Sequence, residues 1–133
     1  MSGSLWAADM KYLLIASGGA LGAMARYLMG TTIQTLARDT TFPLGTMMVN
    51  LIGCLLIGFV MGLAQFKGII SADLRLFLVV GILGGFTTFS SFGYETFSLL
   101  ESGQIEFALT NAVVQTCLGI ALVWVGTLIS RLL

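Results

Sequence analysis

The chain has 133 residues, 57% of them hydrophobic and 9% charged, with six basic and six acidic side chains and no histidine. Soluble domains carry about 25% charged residues, so this composition specifies an integral membrane protein and leaves no soluble domain. A formal net charge of zero argues against a nucleic-acid partner, and the length suits four helical spans of roughly 20–25 residues. The whole chain, 1–133, reads as a single all-α transmembrane domain.

Met1 to Met10 has neither the basic flank nor the small-residue cleavage site of a signal peptide, so no processing is expected. The first span is expected at 12–36. Gly18 with Gly22, and Gly19 with Ala23, form overlapping pairs of small residues four apart, the spacing that lets two membrane helices approach closely. Arg26 stands in the same apolar run. An intramembrane arginine costs about 2.5 kcal/mol or more, so Arg26 is expected to face the bundle or an aqueous vestibule rather than lipid. The first connection, Arg38 to Pro43, is short and polar, and Pro43 suits the start of the next helix.

The second span is expected at 44–65 and carries one amide within its apolar run, Asn50. That amide serves either an interhelical hydrogen bond or an N–H donor offered to an anion, and the sequence does not choose between them. Ser71 and Asp73 are candidate caps for the third helix. Cys54 and Cys117 lie in apolar segments and read as small hydrophobes, neither a disulfide nor a metal site.

The third span, 74–100, holds Gly-Gly-Phe-Thr-Thr-Phe-Ser-Ser-Phe-Gly-Tyr-Glu at 84–95. Gly costs about 1 kcal/mol relative to Ala in a helix interior, and Thr and Ser compete there for backbone hydrogen bonds. The helix is therefore expected to break near its middle, between Gly84 and Thr88. Such breaks at membrane depth survive only where protein or a wet cavity satisfies the freed backbone, and they mark ion or substrate sites. Phe89 and Phe92 are three apart and share a helix face. A stripe of that kind is usually packing, but here Thr87, Thr88, Ser90 and Ser91 interleave with it. Glu95 is a second intramembrane charge, expected to bond a polar neighbour or pair with Arg26. The fourth span, 105–132, sets Asn111 and Gln115 four apart, with Thr116 and Gly119 beyond. That polar stripe either joins helices or continues a pathway.

No catalytic constellation is present, so no enzyme is expected. The groups offered inside the membrane are donors: hydroxyls, amides, one guanidinium and the positive edges of phenyl rings. They suit a small, strongly hydrated anion, whose lost water must be replaced by closely spaced donors. Four spans are too few to enclose a pore, so a homodimer is expected. Lys11, Lys67, Arg75 and Arg131 share one side, with Arg38 on the other, a small excess that permits insertion in both orientations.

Gly-Gly-Ala-Leu-Gly-Ala-Met-Ala-Arg-Tyr at 18–27, Gly-Thr-Met-Met-Val-Asn at 45–50 and Gly-Gly-Phe-Thr-Thr-Phe-Ser-Ser-Phe at 84–92 together resemble the Fluc (CrcB) fluoride channels. The resemblance covers all four spans. It implies a dual-topology, antiparallel homodimer in the bacterial inner membrane, in contact with lipid, with two pores that export fluoride passively from the cytoplasm. Phe89 and Phe92 match the family's phenylalanine box and Asn50 its pore asparagine. Ser90 and Ser91 match its hydroxyl positions, Arg26 its vestibule arginine, and Glu95 the acid after the box. Asn111 and Gln115 match the first two positions of its fourth-helix polar track, where Gly119 supplies no third donor. The resemblance further implies a structural Na+ at the dimer centre, held by the backbone carbonyls of Gly84 and Thr87. Two other readings compete: a small four-helix proton-coupled drug exporter, which lacks its first-helix carboxylate here, and a non-transporting membrane subunit.

Overall fold

The computed structural model describes residues 3–38 and 40–133. Met1, Ser2 and residue 39 lie outside it, so the reading of the extreme N-terminus and part of the first connection fall outside the described residues. Helix α1 spans Gly3–Leu36, and α2 spans Leu44–Gly62 and continues in π-helical turns over Leu63–Lys67. Helix α3 opens at Ala72–Arg75, widens to π turns across Leu76–Leu83 and closes with Gly84–Phe86. Helices α4, Phe89–Glu101, and α5, Ile105–Leu132, complete the chain.

Among the described residues, four helical runs are long and apolar enough to cross a membrane: Asp9–Leu36, Leu44–Lys67, Ala72–Glu101 and Ile105–Leu132. The helix containing the first run starts well before residue 12, because nothing between Gly3 and Lys11 breaks a helix. Ser71 is the cap of α3, its Oγ accepting from Leu74 N at 3.2 Å. Helix α2 begins after Pro43 with no cap side chain of its own. Gln34 of α1 supplies the missing partner: its Oε1 accepts from Gly45 N at 3.0 Å, and its Nε2 donates to Phe42 O at 3.1 Å.

Lipid is as apolar as leucine, so helices in a membrane gain little by hiding apolar surface from each other and associate by close packing. Glycines make that packing possible. A Cβ on Gly18 or Gly22 would overlap backbone atoms of Phe77, Gly81, Ile82 and Phe86, so α1 and α3 touch backbone to backbone. Gly58 and Gly126 do the same for α2 against α5, and Gly62 lies directly over Ser130. Two clasps close the ends of the bundle: Thr41 Oγ1 donates to Gln104 Oε1 at 2.5 Å, and Arg131 stacks over the Phe66 ring at 4.3 Å. Val49, Asn111 and Ser130 are completely buried.

Between α3 and α4 the backbone leaves helical geometry for two residues. Thr87 takes φ/ψ of −82°/157° and Thr88 −149°/114°, both extended. Gly84–Phe86 remain helical, so the glycine pair ends its helical run before the extended residues rather than within them.

Candidate functional site

Extended residues at membrane depth leave polar backbone groups without intrahelical partners, and each must be satisfied locally. Asn50 satisfies Thr88. The Thr88 N–H donates to Asn50 Oδ1 at 2.8 Å, and Asn50 Nδ2 donates back to Thr88 O at 3.1 Å. One side-chain amide thus pairs with a backbone residue on both sides, as a neighbouring strand would. Of the two readings of Asn50, the interhelical bond is what the geometry displays. Thr88 in turn caps α4: its Oγ1 accepts from Ser91 N at 3.2 Å and donates to Ser91 Oγ at 3.0 Å, with Ser90 Oγ at 3.3 Å.

Two cavities meet at this junction. One, of about 540 Å³, is the more polar of the two, and its lining includes Arg26, Gln34, Thr46, Ser91 and Glu95. The other, of about 480 Å³, is mostly apolar and is lined by Phe89, Phe92, Asn50, Gln115, Thr87 and Gly84, among others. Thr88 borders both and forms the wall between them. The rings of Phe89 and Phe92 stand 5.5 Å apart at 46°, and Phe89 is 83% exposed on the open face of the chain. Phe86, by contrast, is buried.

Arg26 does face a cavity. Its Nη1 donates to Thr87 O at 3.5 Å, a long contact that places the guanidinium beside the extended segment. Glu95 shares the same cavity but takes its partner from α2: Thr46 Oγ1 donates to Glu95 Oε1 at 2.6 Å, and Oε2 is buried with no partner. Of the two alternatives for Glu95, the polar neighbour holds and the pairing with Arg26 does not.

The polar stripe on α5 runs inward. Asn50 Nδ2 donates to Gln115 Oε1 at 2.7 Å, and Gln115 Nε2 donates to Asn111 Oδ1 at 2.9 Å. Asn111 Nδ2 then donates to Thr96 Oγ1 at 2.8 Å. Gln115 lines the apolar cavity, whereas Asn111 has no exposed surface. Gly119 also lines that cavity, where a Cβ on it would stand 3.3 Å from Cys54 Sγ. Ser90 is exposed, and Ser91 faces the polar cavity.

Three contributors were not readable in the sequence: Thr46, Thr88 as the cavity wall, and Thr96. Each is one hydroxyl among many, and hydroxyls in membrane helices ordinarily bond back to their own backbone. Thr96 does so as well, which disguises its second bond. No group of three or more His, Cys, Asp or Glu side chains that could hold a metal ion occurs among the described residues.

The family profile described as "CrcB-like protein, Camphor Resistance (CrcB)" matches residues 13–127. Over 122 residues the chain is 48% identical to a protein of Solibacter usitatus named "Fluoride-specific ion channel FluC", covering 92% of this chain and 99% of that one. A Methylobacillus flagellatus protein of the same name is 45% identical over 116 residues, covering 87% and 91% of the two chains. A third, from Thermus thermophilus, is 46% identical over the same length, with the same coverage of each chain.

Proposed function

This chain belongs to the CrcB-like family, and on that footing we propose that it is a fluoride-selective ion channel, not an enzyme, through which fluoride leaves the cytoplasm passively. The observation that carries the reading is the junction at Thr87 and Thr88, where a polar cavity and a phenyl-lined cavity share one wall. Fluoride is small and strongly hydrated, and a pathway has to exchange that water for donors without holding the ion too tightly. Arg26 gives the polar cavity a positive charge that draws an anion in. At the wall, the hydroxyls of Thr88, Ser90 and Ser91 can rotate a proton toward a passing ion. Beyond it, the positive edges of Phe89 and Phe92 continue the pathway in a cavity with few polar groups.

The working unit in this reading is an antiparallel, dual-topology homodimer with two pores, in the bacterial inner membrane. In its support, Phe89 stands 83% exposed on the lone chain, and Gly84 is exposed close to it in sequence. A second copy would enclose both. The same reading includes a structural Na+ at the dimer centre. In its support, Thr88's N–H donates to Asn50 instead of closing a turn on the Gly84 carbonyl, and Gly84 and Thr87 line one cavity, with the Thr87 carbonyl taking only the long bond from Arg26. Their carbonyls would hold the ion, whose charge would offset oxygens brought together from two copies.

The test is fluoride efflux from liposomes holding the purified protein, run beside chloride, for wild type and Phe92→Ile. Fast fluoride loss without chloride loss, silenced by the substitution, is the expected result. A well-folded dimer that passes no fluoride would overturn the reading.

A further inference from the structure

The amides around Asn50 form a relay with a single direction. It starts at the Thr88 N–H, which can only donate, so Asn50 must turn Oδ1 toward it and Nδ2 away. Nδ2 meets Gln115, which must therefore present Oε1, leaving its Nε2 to face Asn111. Asn111 must then present Oδ1 to Gln115 and Nδ2 to Thr96. The hydroxyl of Thr96 accepts that bond and passes its own proton to Phe92 O at 2.7 Å. The circuit leaves the backbone at Thr88 and returns to it at Phe92, joining α2, α5 and α4.

We propose that Thr96, through Asn111, is a positioning residue that holds the Gln115 amide in place against the phenyl-lined cavity, in the direction that Asn50 sets. Gln115 lines that cavity. With its oxygen committed to Asn50, its nitrogen keeps one N–H beyond the bond to Asn111. The cavity is thus offered a donor. Without an acceptor at Thr96, Asn111 has no anchor and Gln115 is held by the bond from Asn50 alone, so its free N–H is no longer fixed in place. An arriving anion would then meet a mobile donor in place of a fixed one, and the cost of ordering it would weaken binding. Asn111, having no exposed surface, acts only through Gln115. The proposal rests on the fluoride-channel reading for its consequence, not for the relay itself.

Three variants and two readouts test it. Thr96→Ser keeps the hydroxyl, Thr96→Val removes it at nearly constant shape, and the double variant Thr96→Val/Asn111→Leu also removes the fully buried Asn111 amide, leaving only the cavity-lining Gln115 Nε2 without its former acceptor. In liposome efflux, Thr96→Val and the double variant are expected to lose about tenfold in fluoride flux at low concentration and to need more fluoride for half-saturation, while Thr96→Ser stays close to wild type. The second readout is the side-chain amide NMR signal of Gln115 in micelles. Wild type and Thr96→Ser should give two well-separated, slowly exchanging Nε2 protons, and the other two variants a collapsed or shifted pair. A folded double variant with wild-type half-saturation and flux would overturn the proposal, as would an unchanged Gln115 signal. A silent wild type would sink the fluoride reading alone, since the NMR comparison still decides the relay.

Discussion

Replacing Asn50 with leucine is expected to destabilise the chain as well as reduce flux, because Asn50 holds the backbone of the α3–α4 junction in place. The substitution keeps volume and removes three hydrogen bonds, of 2.8, 3.1 and 2.7 Å. The Thr88 N–H and C=O are then left unpaired on a residue only 8% exposed. A buried polar group without a partner costs about 1–3 kcal/mol, so two backbone groups cost about 2–6 kcal/mol. Thr88 borders both cavities, where water can reach it, which favours the lower end. A loss of about 2 kcal/mol shifts the folded-to-unfolded ratio roughly 30-fold. Unfolding in mixed micelles of increasing SDS content, followed by tryptophan fluorescence, measures this directly, with liposome efflux run on the same preparation. If Asn50→Leu unfolds at the wild-type SDS fraction and loses flux alone, the amide is only an ion contact, and the pairing with Thr88 is energetically idle.

Gly22→Ala and Gly19→Ala are expected to part company although they make the same change in the same helix. A Cβ at Gly22 meets backbone atoms of Ile82 and Phe86, which cannot move aside, whereas one at Gly19 finds nothing nearer than 4.0 Å. Gly22→Ala should therefore cost about 1–3 kcal/mol by overpacking while Gly19→Ala is near neutral, a difference the same SDS titration resolves. Thr46→Val removes the only partner Glu95 has among the described residues, its other oxygen having none there. It should cost about 1–3 kcal/mol where Thr46→Ser costs little, and equal unfolding midpoints for the two would show that Glu95 finds another donor.

The spans were legible because lipid imposes a length and a composition that few other folds satisfy. Local chemistry was legible too: the Ser71 cap, the start of α2 at Pro43 and the close approach at Gly18 and Gly22 all follow from neighbours in sequence or from residue size. Partners were another matter. Nothing in the spacing of Asn50 says that its amide meets the backbone of Thr88, or that Glu95 takes Thr46 over Arg26. Those choices depend on how far one helix is shifted along another, a quantity set by the glycine contacts and not by any residue's own preference. Thr87 and Thr88, where the backbone turns extended, lie within the 84–88 stretch where the break is expected. A glycine pair weakens a helix, yet a Cβ at Gly85 would overlap the backbone of Gly19, so that glycine also serves the close approach of α3 to α1.

The clasps at the two ends of the bundle bear on how the chain is made. Each joins an early residue to a late one, Thr41 to Gln104 and Phe66 to Arg131. The glycine face of α2 behaves likewise, since Gly58 and Gly62 rest on Val123 and Ser130 of α5. During synthesis α2 therefore waits in the bilayer with its packing surface open while α3 and α4 are still being translated. Until α5 arrives, that surface is available to any other helix carrying small residues. The ribosome thus delivers α5 into a half-built bundle, and commitment to the native arrangement waits for that helix.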